Sequence, residues 1–427
     1  MAMVMRASGS RRFWNTLTDD EIHLRTCMIQ RPQDFRSAGW SGQHLERNMK
    51  QRIVILIGFL PNPRMRKRIE LEKQLAELHL ICWNKGKNML NWSEQEEVVS
   101  HIIDLKASVN PSERILQFPG FARRATRLLR QLRPAVIHVQ AFDMLHVAYW
   151  YKKRYDPSVE LIYEIADLSP LIMEKQTGIL RKLIRHFARA ADKLYCKQVK
   201  LLIVTSQKFV DTYFGEFVPK DRIFYFPNVP DLSCFEKYRS KDHEKDFTVG
   251  FIGAIRYGDQ IRNLIEATKV CDMNLLMAGY ENEPKEFEPL CKADPKCEWV
   301  GKFDFNRQVA GLYGKCDVMY AVYDADIKNV QVALPNKLYE AVVCEIPLIV
   351  AKNTYLEEIV EQWGVGIAVD HKSVAELVDA LNMLRSDRAQ YLKIQEACRT
   401  HQHEVDLRMY NHVLHSIIED ILKNNDC

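Results

Sequence analysis

Short apolar runs of strand length alternate with helix-length amphipathic stretches along most of this chain. That alternation admits little besides parallel sheets covered by helices on both faces. A first set of runs reads RIVILIG, LHLICW, AVIHVQ, ELIYEI, LLIVTS and RIFYF, with helical spacing over Met65 to Leu78 and Phe121 to Leu132. The turn-rich segment PNVPDLSCFEKYRSKDHEKD at 227–246 interrupts the pattern. A second set follows, FTVGFIG, NLLMAG, CEWVG, DVMYAVY, PLIVA and VGIAV, and from about Ser373 onward the spacing is helical throughout. The expected architecture is α/β, two doubly wound, Rossmann-like parallel-sheet domains at 49–230 and 247–400. A linker at 231–246 joins them, and a C-terminal helix occupies 401–427. Residues 1–48 are polar and aperiodic and are expected to form a poorly ordered extension.

Two facing sheets of this kind leave a central cleft at the carboxyl ends of their strands, where open α/β folds bind ligands. A length of 427 residues agrees, because it exceeds what one hydrophobic core ordinarily supports. The balance of 60 basic and 56 acidic side chains argues against a nucleic-acid partner. The 11 cysteines form no C-x-x-C pair and no zinc-finger spacing, so neither a disulfide framework nor a metal centre is expected. No run approaches the roughly 20 apolar residues that cross a bilayer, and no signal peptide is recognisable, which predicts a cytoplasmic protein.

Three segments carry a likeness that none would carry alone. LPNKLYEAVVCEIPLIVA at 334–351 places a glutamate on a helix ahead of an apolar strand. VGFIGAIRYGDQIRNLIEA at 249–267 runs from strand through a glycine loop into a helix. GFLPNPRMRKRIELEKQLAELHLICWN at 58–84 joins a strand, a proline-rich loop and a helix. Together they resemble glycosyltransferase family 4 and its relatives, from about Met49 to the C-terminus, and the resemblance implies the GT-B fold.

Within that resemblance Glu340 corresponds to the glutamate that accepts the ribose hydroxyls of the donor nucleotide, a task suited to an acceptor-only carboxylate. Asn336 and Lys337 stand at a helix start whose free N–H groups suit a diphosphate. The plainer reading of Lys337 and Glu340 is an i,i+3 ion pair worth roughly 0.2–0.5 kcal/mol. Gly253 marks the pyrophosphate loop. The family's two cations there are replaced by Ala254 and Asp259, leaving Arg256 to grip phosphate. Gly279, Tyr280 and Gly301 fall at strand ends where relatives cradle the base. On the acceptor side stand Gly58 and Arg64. The family's earlier glutamate, eight positions before Glu340, is Val332, with Asn329 and Gln331 beside it as substitutes. In YEIADL at 163–168 the family's histidine is Ala166, followed by Asp167. No catalytic residue is assigned; the candidates are His138, at the end of an apolar run, and Asp167.

Two basic amphipathic stretches, 121–133 and 182–200, are expected to turn their apolar stripes to the core and rest their charged faces on an anionic membrane surface. The resemblance implies transfer of a sugar from a nucleotide-diphosphate donor to a glycan or polyprenyl-linked acceptor, in bacterial surface polysaccharide synthesis. It implies retention of configuration, without bound metal or cofactor, at the inner face of the cell membrane. Two alternatives share the architecture: a nucleotide-sugar 2-epimerase, and a non-catalytic partner in glycan assembly.

Overall fold

The computed structural model describes residues 51–85, 98–105, 111–169, 178–240, 246–281 and 285–425. The extension at 1–48 and residues 241–245 of the turn-rich segment lie outside them.

Seven strands of the first half form one sheet: β1 (Arg52–Ile57), β2 (Glu77–Asn84), β3 (Val99–Asp104), β4 (Val136–Gln140), β5 (Glu160–Ile165), β6 (Val199–Val204) and β7 (Ile223–Tyr225). Their order is β3-β2-β1-β4-β5-β6-β7, parallel throughout. The second sheet takes β8 (Thr248–Ile252), β9 (Asn274–Ala278), β10 (Cys297–Gly301), β11 (Val318–Ala321), β12 (Leu348–Ala351) and β13 (Gly366–Val369). Its order, β10-β9-β8-β11-β12-β13, is again parallel. Both sheets step outward from the first strand and then reverse, as in the Rossmann fold, which opens a crevice at the reversal. Central strands such as β4 and β12 are buried along their whole length, and their continuous apolar sequences follow from being covered on both faces.

Among the helices, α1 (Pro63–Glu72), α2 (Pro111–Leu132), α3 (Phe142–Arg154) and α4 (Ile179–Cys196) belong to the first half. The second half contributes α5 (Gly258–Val270), α6 (Lys328–Val332) and α7 (Asn336–Val343), and α8 (Leu407–Asn424) closes the chain. This last helix returns to the first sheet: Gln51 Nε2 donates to Leu422 O at 3.2 Å, and Tyr410 packs on Phe226. No described helix is long and apolar enough to cross a membrane.

The structure departs from the sequence expectation in three places. β3 was not foreseen, because VSHIID is an edge strand in which Ile103 alone is buried. The helix expected over Met65 to Leu78 ends at Glu72, and Leu78 already belongs to β2. Buried Leu75 and Ala76 in the turn between them extend the helical spacing by coincidence. The third concerns the two basic helices. In α2 the stripe of Phe121, Ala125 and Leu129 is buried as expected, and Arg123, Arg124, Arg127 and Arg130 are exposed. In α4 the apolar stripe faces outward instead: Leu183, Ile184 and Phe187 are exposed, while Asp192, Tyr195 and Cys196 anchor the helix.

Candidate functional site

The carboxyl ends of the two sheets converge on a cavity of about 410 Å³. Its walls come from the segments that follow β5, β7, β8, β10, β11 and β12, together with the start of α1, the short α6 and the start of α7. This is where a parallel sheet presents its loops and helix N-termini.

Seven of the sequence candidates line it: Arg64, Asp167, Gly253, Arg256, Asn336, Lys337 and Glu340. α7 begins after Pro335, a residue with no side chain to cap it, so the first N–H groups of the helix stay open toward the cavity. One turn in, Glu340 is 4% exposed and its Oε2 accepts a hydrogen bond from Tyr313 OH at 2.6 Å. Burial raises the pKa of its carboxyl, while the Tyr313 hydroxyl, Lys337 and Lys67 pull it down. Lys337 does not form the i,i+3 pair that its spacing permits. Its Nζ donates to Tyr323 OH at 3.0 Å and lies 4.6 Å from the centre of the Phe251 ring.

Gly253 has φ near +150°, and a Cβ there would lie 2.8 Å from Lys337 Nζ. Gly279 repeats that conformation one strand over, where a Cβ would fall 1.8 Å from Gly253 O. Gly253 N donates to Ala278 O, and Gly279 N to Gly301 O, both at 2.8 Å. The three glycines therefore form a stepped row in which main chain touches main chain. Gly279, Gly301 and Tyr280 do not line the cavity, so their expected contact with a base is not what this geometry offers. The aromatic wall is instead Tyr257, Phe303, Phe305 and Tyr323, scattered residues that carry no motif in the sequence.

His138 requires correction. It sits in the middle of β4, fully buried, with Nδ1 2.5 Å from Glu72 Oε1 and Nε2 3.4 Å from Glu164 Oε2. Arg68 closes the cluster, donating from Nε to Glu164 Oε2 at 2.8 Å and stacking on Phe226. Burial alone lowers the imidazole pKa, but the two carboxylates outweigh it and raise it to about 9. This is an internal ion cluster shut off from the cavity. Gly58 is likewise buried, against Met144 and Asp143, and forms no part of the cavity wall.

Arg64 does face the cavity, and its Nε has no hydrogen-bond partner among the described residues. Arg256 is an exposed part of the same wall. Asp167 is exposed and held from the other sheet: Asn329 Nδ2 donates to its Oδ1 at 3.0 Å. Of the two substitutes for the family's earlier glutamate, Asn329 lines the cavity. Gln331 donates to Ala325 O and accepts from Lys328. Val332 packs against the core of the first sheet, and its carbonyl accepts from Ser206 Oγ.

Comparison with known proteins agrees with this geometry. Residues 70–233 match the family described as Glycosyltransferase Family 4, and residues 235–401 match Glycosyl transferases group 1. The succinoglycan biosynthesis protein ExoL of Rhizobium meliloti is 23% identical over 354 residues, covering 78% of this chain and 84% of that protein. Sucrose-phosphate synthase from Thermosynechococcus elongatus superposes with a TM-score of 0.68 at 13% identity, covering 88% of this chain and all of that one. Anabaena HepE, solved with UDP and glucose, gives 0.65 at 14% identity, covering 87% of this chain and all of that one. With two family matches that together run from residue 70 to 401 and the paired parallel sheets of the GT-B fold, the chain belongs to the family 4-like, group 1 glycosyltransferases.

Proposed function

We propose that this enzyme transfers a sugar from a nucleotide-diphosphate donor to a glycan or lipid-linked acceptor, in the cytoplasmic assembly of a surface polysaccharide. The observation that carries the reading is the placement of Glu340, Lys337 and the open start of α7 on one wall of the cavity. Glu340 accepts the ribose hydroxyls, and each such bond favours its charged form against the effect of burial. Lys337, Arg256 and the α7 N–H groups take the diphosphate, with Arg64 reaching it from the first domain. Phe303 and Phe305 flank the base.

Cations and helix N–H groups at the leaving diphosphate stabilise the charge that develops as the glycosidic bond breaks. In this reading the reaction proceeds with retention and uses neither a resident metal nor a cofactor. Closing the cleft excludes water and leaves the acceptor hydroxyl near Asp167. The polysaccharide role is supported by the name of the Rhizobium relative, and the donor class by the UDP and glucose held by HepE.

The test is thermal shift of the wild type and of Glu340→Ala against UDP-, GDP- and dTDP-sugars, because a ligand of the folded state raises its melting temperature. Stabilisation by one nucleotide class, lost in the variant, is the expected outcome and identifies the donor. A wild type stabilised by none of them would overturn the reading.

A further inference from the structure

Tyr313 is the last residue of the helix Phe305–Tyr313, whose first residue, Phe305, stands in the cavity wall. Tyr313 itself does not line the cavity. It is fully buried and edge-on to Phe235, with ring centres 5.9 Å apart. A hydroxyl at such a depth is costly without a partner, and the partner it has is Glu340 Oε2, at 2.6 Å. That length belongs to the range in which an O–H group donates to a charged oxygen. The other oxygen of the carboxylate, Oε1, has no hydrogen-bond partner among the described residues, and Glu340 lines the cavity.

A charged Glu340 is opposed by its own burial and needs compensation from the groups that face it. Lys337 precedes it by three residues on α7, and Lys67 faces it from α1. Each of these ammonium groups spends a hydrogen bond elsewhere, Lys337 on Tyr323 OH and Lys67 on Val229 O. The neighbouring thiols of Cys234 and Cys344 are pushed up by burial and stay neutral. Burial and the Glu340 charge push Tyr313 well up too, so its hydroxyl keeps its proton and remains a donor. Among the described residues it supplies the one direct side-chain hydrogen bond to this carboxylate.

We propose that Tyr313 is a positioning residue for the donor nucleotide, holding Glu340 charged and pinned by Oε2 so that Oε1 is left for the ribose hydroxyls. The proposal rests on the ribose-binding role given to Glu340 above, and adds to it a residue that never touches the donor. Its consequence is a pH dependence. The Tyr313 hydroxyl lowers the pKa of Glu340, so removing it raises that pKa further. The charged form is the better acceptor, so donor affinity is lost as pH falls through this value. In Tyr313→Phe, which keeps the ring and its packing, that loss begins at a higher pH than in the wild type.

Calorimetric titration with UDP, GDP and dTDP between about pH 5.5 and 7.5 tests it. In that range Lys67, lowered to about 8 by burial, keeps its charge. Titration of the nucleotide phosphate is common to all the proteins compared. The expected result, for whichever nucleotide binds the wild type, is a loss in Tyr313→Phe of about tenfold or more at the acid end that narrows toward the other. Added to Glu340→Ala, the same substitution is expected to change nothing further. A loss independent of pH, no loss, or an equal loss in the Glu340→Ala background would overturn the proposal and leave the role of Glu340 standing. A wild type that binds none of the nucleotides, or a Glu340→Ala protein that binds as tightly as the wild type, would overturn both.

Discussion

Asn329 Nδ2 donates to Asp167 Oδ1 at 3.0 Å while its own Oδ1 accepts from Leu168 N at 2.9 Å, so one side-chain amide on α6 grips the loop after β5 across the cleft. Asn228 to Leu334 O and Tyr225 to Tyr339 are further bridges between the two sheets. Each hydrogen bond contributes about 0.5–1.5 kcal/mol net. Asn329→Ala is expected to shift the closed form toward an open one by about fivefold or more. Small-angle scattering of the free protein then gives a larger radius of gyration than wild type, with the melting temperature little changed.

The glycine row separates a structural position from a ligand position. Gly279→Ala sets a methyl group 1.8 Å from Gly253 O, and main chain at a strand end cannot retreat. A loss of at least about 3 kcal/mol in unfolding free energy is expected, read by denaturant titration. Gly253→Ala meets the tip of a flexible side chain, Lys337 Nζ, at 2.8 Å. Its φ is also unfavourable for alanine, so some stability is lost, but the larger effect falls on Lys337. Nucleotide binding by calorimetry is expected to weaken about tenfold or more.

Much of the fold was legible because parallel strands buried on both faces have continuous apolar sequences, and β3 was missed because its edge position leaves it nearly bare. Site residues were legible where a strand end places them by rule: Gly253 and Arg256 follow β8, Asp167 follows β5, and Asn336 to Glu340 open α7. His138 was misjudged because its depth is set by Glu72, which α1 brings over the sheet from 66 positions away. The positive φ of Gly279 could be guessed from glycine itself, but not that the main chain of Gly253 is what leaves no room for a side chain there. Phe303, Phe305 and Tyr323 carry no local signal that distinguishes them from core aromatics.

The His138 cluster predicts a stability that depends on pH. Its folded pKa of about 9 lies above the unfolded value of about 6.5, so the charged form stabilises the fold. That contribution is complete below the unfolded value and is lost as pH rises through about 9. Glu164 has the opposite sign: Arg68 and His138 overcome the effect of burial and hold its pKa low, so its contribution is lost only in acid. Urea unfolding from about pH 6.5 upward should therefore show a steady decline. His138→Gln is expected to lower stability at neutral pH by about 3–5 kcal/mol, since Glu72 keeps its burial without its cation, and to flatten the alkaline decline.

Val332 occupies the place of the family's earlier glutamate, yet it packs on the core of the first sheet, while Asn329, Val330 and Ala333 line the cavity. Restoring the carboxylate with Val332→Glu would bring a charge to an apolar contact beside Ser206, whose hydroxyl already bonds the Val332 carbonyl. The expected outcome is a loss of about 1–3 kcal/mol in unfolding free energy with no gain in donor affinity. Denaturant titration and nucleotide calorimetry on the same variant separate the two effects. Tighter donor binding would overturn this and show that α6 turns to aim position 332 into the cavity when the donor binds.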